Sequence, residues 1–503
     1  MGPERKLHPS SFVFSMGRHL RALLVPGVAI AFTAGSSGRD WEVWLMVLLV
    51  PYAIAALARS LSFRYRFDAD EMVVRKGWVF RSERHIPYAR IQNIDAVQNV
   101  FHRALGVAEV RVETASGGEP EATMTVLPVE SLAEMRDFVF RGRQGVEVAA
   151  SGADIAQTPP ADVLLELRAP EILLYGFIES RGAVLIGGAF GLLYEFGLFD
   201  RVLQALTGGA FEGSGVMRQL FRAIVRQQSI SLSTLAWTVG ALVVLLLILR
   251  MLSMLWAYVR LHGFVLRRAG NDLRVDYGLL TKISGTIPLQ RIQTLTISES
   301  PLHRLFGRVS VHVDTAGGHG GEVQRTRREP IAPLVTRRNL AALIDSLMPA
   351  VTLSDIDWQP VHQRGFRRAL VRTLFLAICG SILIMSTLRF GAEVAVGLLF
   401  GWAVVYARQY VAHLGWAFAG DALVFRSGWL WRHITIARFS KIQVVSRRES
   451  PFDRRLGMAS VTVDTAAAGA GGHALAIPFL AAATASELAA TLSHQAAQTA
   501  FKW

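Results

Sequence analysis

The sequence is poor in cysteine and in charge. Its 503 residues contain one cysteine, Cys379, so no disulfide can form within the chain and no thiolate metal site is available. Charged residues make up 18% of the chain, whereas a soluble domain usually carries about 25%. Because 51% of the residues are hydrophobic and the mean hydropathy is +0.34, the deficit in charge predicts a membrane protein.

The sequence also lacks the motifs of common enzyme classes. No H-E-x-x-H, G-x-S-x-G or P-loop pattern occurs, and the 13 histidines are scattered along the chain. The glycine pairs at 317–318 and 320–321 are followed by no lysine, which favours a hairpin tip over a phosphate-binding loop. We therefore expect no catalytic residue, no cofactor and no metal.

The excess of positive charge has three possible causes. The formal net charge is +14, and the chain contains 48 arginines against 5 lysines. Nucleic acid, an acidic membrane surface and the positive-inside bias of membrane proteins would each explain such an excess. No basic tract with interleaved aromatic residues occurs, so nucleic acid is not an expected partner.

Six apolar runs are long enough to cross a bilayer as helices. They form three pairs, at 20–36 with 41–59, 182–199 with 232–258, and 369–387 with 392–409. The first run also resembles a signal peptide, but the pairing recurs twice, which favours an uncleaved anchor. The sequence thus predicts six transmembrane helices arranged as three helical hairpins.

The distribution of arginine and lysine predicts the orientation of these helices. Basic residues flank the first and third pairs on their outer sides, so both chain termini and the soluble segments are expected in the cytoplasm. The second pair follows the rule less well, because its connection at 200–231 contains Arg218, Arg222 and Arg226 with the spacing of an amphipathic surface helix. Glu179, Arg181, Glu195 and Arg250 lie near the ends of this pair and are expected at the membrane interface.

An internal repeat organises the chain. Three segments of more than thirty residues align with one another. The corresponding positions are Gly77, Gly278 and Gly428; Arg90, Arg291 and Lys441; Arg103, Arg304 and Arg454; Gly106, Gly307 and Gly457; and Thr114, Thr315 and Thr465. This agreement predicts three copies of one fold.

Each copy has the pattern of β-structure. Val110 and Val112 alternate with charged residues, which indicates a half-buried strand, and Gly77 suits a hairpin turn. Gly106 suits the end of a short helical turn. The copies close with predicted helices at 129–142, 334–347 and 479–496. We expect small β-barrels, each with one C-terminal helix, in which Val112, Val313 and Val463 are buried in equivalent strands.

The order of two apolar spans followed by I-P-x-x-R-I-Q and, further on, R-x-x-G and V-x-V-x-T-A resembles the bacterial YdbS/YdbT-like membrane proteins. Leu7-His8-Pro9 near the N-terminus is also typical of them. The resemblance implies pleckstrin-homology (PH) domains, each with two roughly orthogonal antiparallel sheets and a C-terminal helix, in the inner membrane of a bacterium. The third copy departs from the pattern, with Arg438 in place of the proline and Lys441 in place of the arginine.

The expected domains follow from the repeat and the apolar runs. They are 1–64 with the first transmembrane pair, 65–145 as PH-like domain 1, 146–260 as linker and second pair, 261–350 as PH-like domain 2, 351–412 as linker and third pair, and 413–503 as PH-like domain 3.

A recurrent basic residue is the most prominent candidate for binding. Arg90, Arg291 and Lys441 could hold a lipid phosphate. An acid recurs equally, at Glu113, Asp314 and Asp464, so base and acid could instead pair and hold two strands together, which we favour. The third copy is the most basic, and such a surface gains about 1 kcal/mol per cation from anionic lipid. The candidate lipid or partner contacts are Arg90, Arg291, Lys441, Arg438, Arg447 and Arg448.

These observations predict a non-enzymatic membrane-anchored PH-domain protein. Its expected role is a scaffold that binds protein partners or anionic lipid at the cytoplasmic face, and one candidate partner is a shorter membrane relative with a single PH domain. The alternative is a transporter or lipid-handling conduit formed by the six helices. That alternative predicts charged or broken helices near the midplane, and the apolar runs contain no clearly central charge.

Overall fold

The computed structural model of the chain describes residues 4–6, 62–68, 71–77, 81–88, 91–114, 122–131, 135, 162–179, 232–315, 330–349, 351, 356–387, 391–466 and 475–498. The chain divides into two compact units. Unit 1 comprises Met1–Glu166, Gly263–Arg291 and Gly317–Thr326, and unit 2 comprises Leu167–His262, Ile292–Ala316 and Arg327–Trp503. The first copy of the repeat belongs to unit 1 and the third to unit 2, whereas the second is divided between them.

The first copy places two antiparallel sheets around a shared core. The first sheet has the strands β1 (Arg5–Lys6), β2 (Arg64–Phe67), β3 (Glu71–Lys76) and β4 (Ser82–Pro87). The second contains β5 (Ile91–Gln98), β6 (Val107–Thr114) and β7 (Ala122–Pro128), with helix α1 (Val100–Ala104) between β5 and β6. Met72, Ile86 and Val112 from both sheets share one buried cluster. Alternate residues of a strand point to the same face, so the period-two pattern places the valines of β6 inside.

The second copy repeats the order of the described strands and of the short helix. Its first half is β8 (Asp162–Glu166), α2 (Ala169–Ile178), α3 (Leu232–Leu261), β9 (Val265–Ala269), β10 (Asp272–Tyr277) and β11 (Lys282–Pro288). A 3-10 turn, Leu289–Arg291, leads to the second half, which is β12 (Ile292–Glu299), α4 (Pro301–Leu305), β13 (Arg308–Thr315), β14 (Ala332–Thr336) and α5 (Arg337–Leu347).

The third copy is the most completely described. It begins with β15 (Gln359–Pro360), α6 (Gly365–Thr387), α7 (Ala392–Ala412), β16 (Gly415–Ala419), β17 (Ala422–Ser427) and β18 (Arg432–Arg438). After a 3-10 turn, Phe439–Lys441, come β19 (Ile442–Arg448), α8 (Pro451–Leu456), β20 (Met458–Thr465), β21 (Leu475–Ala481) and α9 (Ala482–Gln498). Leu423 and Val463 of the two sheets share a core with Leu488 and Leu492 of α9, so the C-terminal helix covers the barrel.

In each copy, a short strand that precedes the apolar runs pairs with the strand that follows them. β1 pairs with β2, β8 with β9, and β15 with β16, all antiparallel. The last two pairs bracket the helices α2 and α3, and α6 and α7, respectively. The two ends of each apolar segment therefore return to one place.

The sheets continue from one copy into the next. β5 of the first copy pairs with β11 of the second, and β12 of the second pairs with β18 of the third. Each junction produces a seven-stranded sheet, in the orders β7-β6-β5-β11-β10-β9-β8 and β14-β13-β12-β18-β17-β16-β15. The copies are therefore joined through backbone hydrogen bonds.

The expectation of six transmembrane helices is wrong for this structure. Within the described residues, two helical segments are long and apolar enough to cross a membrane, Val243–Leu261 of α3 and Ala392–Ala412, which is α7. The domains of the described chain are built on four β-sheets, of four, seven, seven and three strands. The run 369–387 forms the continuous helix α6 (Gly365–Thr387), but its first turns contain Arg367, Arg368 and Arg372, and it is not one of these two segments. The runs 20–36, 41–59 and 182–199 and the connection 200–231 lie outside the described residues.

Several local predictions are confirmed. Val112, Val313 and Val463 are buried in β6, β13 and β20. Gly77 lies between β3 and residue 81 with φ of 102°, and Gly106 follows α1 with φ of 65°. The predicted helices 334–347 and 479–496 correspond to α5 and α9, which begin three residues later. Most of the predicted helix 129–142 falls where the structure gives no description.

Candidate functional site

A short helical tip recurs in every copy, between β5 and β6, between β12 and β13, and between β19 and β20. The three tips are α1, α4 and α8, and each begins at a capping side chain, from Asn99, Ser300 or Ser450. The tips expose large apolar side chains, namely Phe101 at 70%, Leu305 at 75% and Phe452 at 58%. An exposed apolar side chain beside a basic residue suits the boundary between a membrane and water.

The tip of the third copy lies beside the first turns of α6. The guanidinium of Arg368 stacks over the ring of Phe452, with 5.0 Å between its Cζ and the ring centroid. Its Nε also lies 3.5 Å from the Asp453 carboxylate. Arg454 and Arg455 in the last turn of α8 are exposed. The tip thus combines one apolar ring with two exposed cations at the base of a helical hairpin.

An aromatic group surrounds the C-terminal half of α7. The ring of Trp429, in the turn between β17 and β18, lies 5.7 Å from that of Trp402 and 6.3 Å from that of Tyr406. Tyr406 stacks on Tyr410, and Arg372 of α6 lies over the Tyr410 ring at 5.6 Å. Tryptophan and tyrosine concentrate at membrane–water interfaces. The composition of this group is typical of a membrane–water boundary.

The tip of the second copy also lies beside helices, here α2 and its neighbour α3. The ring of Phe306, directly after α4, contacts that of Phe177 in α2 at 6.2 Å. Arg250 of α3 lies over the Phe177 ring and donates from Nη1 to the Phe177 carbonyl at 2.7 Å. This partner explains how Arg250 is accommodated in an apolar helix. Arg181 and Glu195 fall outside the described part of the chain.

Comparison with known proteins agrees with the repeat. A family model for the bacterial PH domain matches residues 21–143, 223–351 and 370–496. The chain belongs to the bacterial PH domain family. It is also 24% identical over 428 residues to the UPF0699 transmembrane protein YdbT of Bacillus subtilis strain 168, which covers 82% of this chain and 81% of that protein. No solved structure matches the chain.

These comparisons confirm the resemblance to YdbT-like membrane proteins with three PH domains. Together with the two apolar helices, they place this bacterial PH domain protein in association with a membrane. Neither the family nor the relative is described as an enzyme. Among the described residues, no group of three or more histidine, cysteine, aspartate or glutamate side chains comes together as a metal site would require.

Two of the predicted contact residues lie inside the third PH domain. Lys441 is buried, and this burial, together with the nearby Arg438, lowers the pKa of its ammonium group. Arg438 is half-buried and its Nη2 lies 3.4 Å from the Leu347 carbonyl of α5. Neither side chain offers its charge fully to solvent, so the structure gives no surface site at these two positions.

The other predicted contact residues have different surroundings. Arg447 and Arg448 are exposed on β19, and Arg447 pairs with Glu449. Arg291 is half-buried at the end of its 3-10 turn, and Arg90 is not among the described residues. The Asp314 carboxylate accepts a hydrogen bond from Thr294 Oγ1 at 2.7 Å. Pairing of the recurrent bases with the recurrent acids stays a prediction.

The second recurrent arginine joins neighbouring PH domains. Arg103 Nη1 donates to the Leu279 carbonyl at 2.8 Å, and Arg304 Nη2 donates to the Leu430 carbonyl at 2.8 Å. Each acceptor lies in the hairpin turn that precedes β11 or β18 of the next domain. Each arginine lies in the last turn of its short helix. The actual partner lies more than a hundred residues away, and no local pattern could have identified it.

Proposed function

We propose that this bacterial PH domain protein is a non-enzymatic, membrane-anchored scaffold whose domains contact anionic lipid headgroups. The main support is the tip of the third domain. There, Phe452 is exposed beside Arg454 and Arg455, at the base of α6 and α7. Cations near an anionic leaflet gain about 1 kcal/mol each, and an apolar ring adds burial in the headgroup region.

The strand pairs support a common membrane face for the three domains. A chain that crosses a membrane between two paired strands must cross an even number of times. β15 pairs with β16 on either side of α6 and α7, so α7 crosses only if the chain also crosses before it. α6 packs against α7, where the Thr373 hydroxyl donates to the Ala403 carbonyl at 3.3 Å. A multi-pass protein of the bacterial plasma membrane, with its PH domains in the cytoplasm, is consistent with this arrangement.

The alternative of a transporter or lipid-handling conduit depends on a region of six helices. Within the described residues, only two helical segments are long and apolar enough to cross a membrane. The structure therefore does not support a conduit of six helices. Protein partners, including a shorter relative with a single PH domain, stay predictions.

Fluorescence at the tip of α8 tests lipid contact in the full-length protein. Phe452→Cys, in a Cys379→Ser background, is labelled with the environment-sensitive dye NBD and reconstituted into vesicles. We expect a blue-shifted, brighter emission in vesicles with about 30 mol% phosphatidylserine than in pure phosphatidylcholine, and we expect salt to reduce the difference. Arg455→Glu in the same background should abolish it.

A matched control separates the tip from general electrostatics. Arg338 is exposed in the first turn of α5, in the second domain and outside α8, so Arg338→Glu makes the same change in net charge. It should leave the lipid response of the dye unchanged. Emission that is independent of lipid composition, or equal effects of the two substitutions, would contradict contact between α8 and anionic lipid.

A further inference from the structure

In the described part of the chain, two strand edges of the PH domains, those of β4 and β19, have no paired neighbour. Within the described residues, β4 ends the sheet β1-β2-β3-β4, and β19 ends the sheet β19-β20-β21. Their counterparts inside the chain are paired with each other. β11 and β18 correspond to β4, and they bond to β5 and β12, which correspond to β19. The chain makes the same junction twice and leaves one half of it at each end.

The two internal junctions have the same register. Gln98 lies opposite Lys282, and Glu299 lies opposite Arg432. These pairs occupy equivalent positions in the alignment of the three copies. The same register, applied to the open edges of β4 and β19, defines which residues would lie opposite each other.

In that register, opposite charges meet across the open edges. Glu449 falls opposite Arg81, which is equivalent to Glu299 opposite Arg432, and the carboxylate of Glu299 lies 4.0 Å from the Arg432 guanidinium. Two residues along, Arg447 falls opposite Glu83. Residues directly opposite in antiparallel strands have their side chains on the same face, so both pairs are attractive.

The internal counterparts of Arg447 and Glu83 are apolar. They are Ile297 and Ile434, which lie opposite each other in the β12–β18 junction. Ile297 is buried there, whereas Arg447 and Glu83 are exposed at the open edges. Charged residues protect an edge strand from unselective pairing. Because Arg447 and Glu83 have opposite charges and lie opposite each other in this register, they still allow β19 to pair with β4.

A hydroxyl on β19 is a further feature of the open edge. Ser446 Oγ is buried and forms no hydrogen bond with the described residues. Its counterpart Thr296 meets Thr435 across the internal junction, with 3.4 Å between the hydroxyl oxygens. At the open edge, the residue opposite Ser446 is Arg84, whose guanidinium is a hydrogen-bond donor.

The second recurrent arginine (Arg103, Arg304 and Arg454) is also paired at the two internal junctions and open in the third domain. Arg103 and Arg304 each donate to a carbonyl of the following domain. Their counterpart Arg454 belongs to the third domain, is exposed, and forms no side-chain hydrogen bond with the part of the chain that the structure describes. Backbone edge, charges, hydroxyl and arginine are thus all in place for one more domain.

We propose that copies of this chain associate head to tail, with β4 of one copy pairing to β19 of the next. The contact is heterologous, because two different surfaces meet, so it produces rings if the rotation closes and filaments if it does not. It is a third use of a junction that the chain already makes twice.

Cysteine cross-linking in the full-length protein tests the register. Two chains with different affinity tags are coexpressed in a Cys379→Ser background, one with Arg84→Cys and the other with Ser446→Cys. Each chain has only one of the two cysteines, so a link within one chain cannot form. We expect mild oxidation to yield a disulfide-linked species that carries both tags. Val445→Cys is the matched control for Ser446→Cys, because its side chain points to the opposite face of β19 and should not link to the cysteine introduced at position 84.

Charge reversal tests whether Arg447 of one copy lies opposite Glu83 of the other. It complements the cross-linking result, which depends on the geometry of the two cysteines. Arg447→Glu on the Ser446→Cys chain, or Glu83→Arg on the Arg84→Cys chain, should each lower the yield of the linked species by about tenfold. Both reversals together restore an attractive pair and should recover most of the yield. The reduced single variants should keep the unfolding temperature of the parent.

Several results would overturn head-to-tail association. These are the absence of a species with both tags, an equal yield from the Val445→Cys control, and no response to charge reversal. Linkage of the Ser446→Cys chain to a different protein in place of a second copy would also contradict it, and would show that the β19 edge receives another partner.

Discussion

At the scale of single residues, equivalent positions of the three copies have different environments. Arg291 and Lys441 occupy equivalent positions, yet Arg291 is half-buried and Lys441 is buried with a lowered pKa. Burial disfavours the charged form of a lysine. Lys441 is therefore better suited to packing inside the third domain than to binding an anion at its surface.

His303 is another buried ionisable residue, and its hydrogen bonds define its protonation. The Ser310 hydroxyl donates to the Pro333 carbonyl at 2.7 Å, so its oxygen accepts from His303 Nε2 at 3.0 Å. Nδ1 lies 2.8 Å from Ser300 Oγ and accepts a hydrogen bond in the neutral ring. Burial lowers the pKa of His303, although Glu179 and Glu299 act in the opposite direction.

Acid should therefore destabilise the second PH domain through His303. A histidine with a lowered folded pKa contributes stability that is present above its unfolded pKa of about 6.5 and is lost as pH falls through the folded value. We expect the apparent unfolding temperature of the full-length protein in detergent to fall from about pH 7.5 to about pH 5.5. His303→Asn should have a lower unfolding temperature at neutral pH and a weaker dependence on pH. An unchanged slope would contradict this role of His303.

At the scale of elements, close approach of two helices depends on one glycine. A Cβ at Gly176 of α2 would lie 2.7 Å from the Ala257 Cβ and 2.7 Å from the Met254 Cα of α3. The Ser253 hydroxyl also donates to the Gly176 carbonyl at 2.9 Å. Backbone atoms of α3 cannot move aside as a flexible side chain can. The contact between α2 and α3 therefore requires glycine at this position.

Gly176→Ala should destabilise this helical pair by about 1–3 kcal/mol, the usual cost of overpacking. Gly397→Ala in α7 is the matched control, because nothing lies within 4 Å of a Cβ at that position. Alanine is the better helix former, so the control should be neutral or stabilising by about 0.5–1 kcal/mol. Thermal unfolding of the two variants in the same detergent compares them. Equal unfolding temperatures would show that α2 and α3 do not pack this closely.

At the scale of the whole molecule, the strand pairs around the apolar segments predict one membrane face for all three PH domains. Leu105, Leu280 and Trp431 are exposed in the first, second and third domains, at 49%, 53% and 61%. We expect a single cysteine at each position, in a Cys379→Ser background, to resist a membrane-impermeant thiol reagent in intact cells. All three should react after permeabilisation. Labelling of any one in intact cells would place that domain outside, and the second domain is the most stringent case.

The sequence by itself determined the repeat, the strands of each copy and their buried faces. Val112, Val313 and Val463 were predictable because side-chain alternation is a local property of a strand. Gly106 was predictable because a helix end with positive φ favours glycine. Family membership followed from the same positions.

Only the tertiary structure decided how the copies are joined. The pairing of β5 with β11 and of β12 with β18 uses backbone hydrogen bonds, which every sequence provides, between strands more than a hundred residues apart. The burial of Lys441 and the partners of Arg103 and Arg304 likewise depend on distant segments. Among the described residues, the bounds of the helices that are long and apolar enough to cross a membrane also required the structure, because hydropathy is a property of composition, whereas a membrane helix needs a continuous backbone conformation.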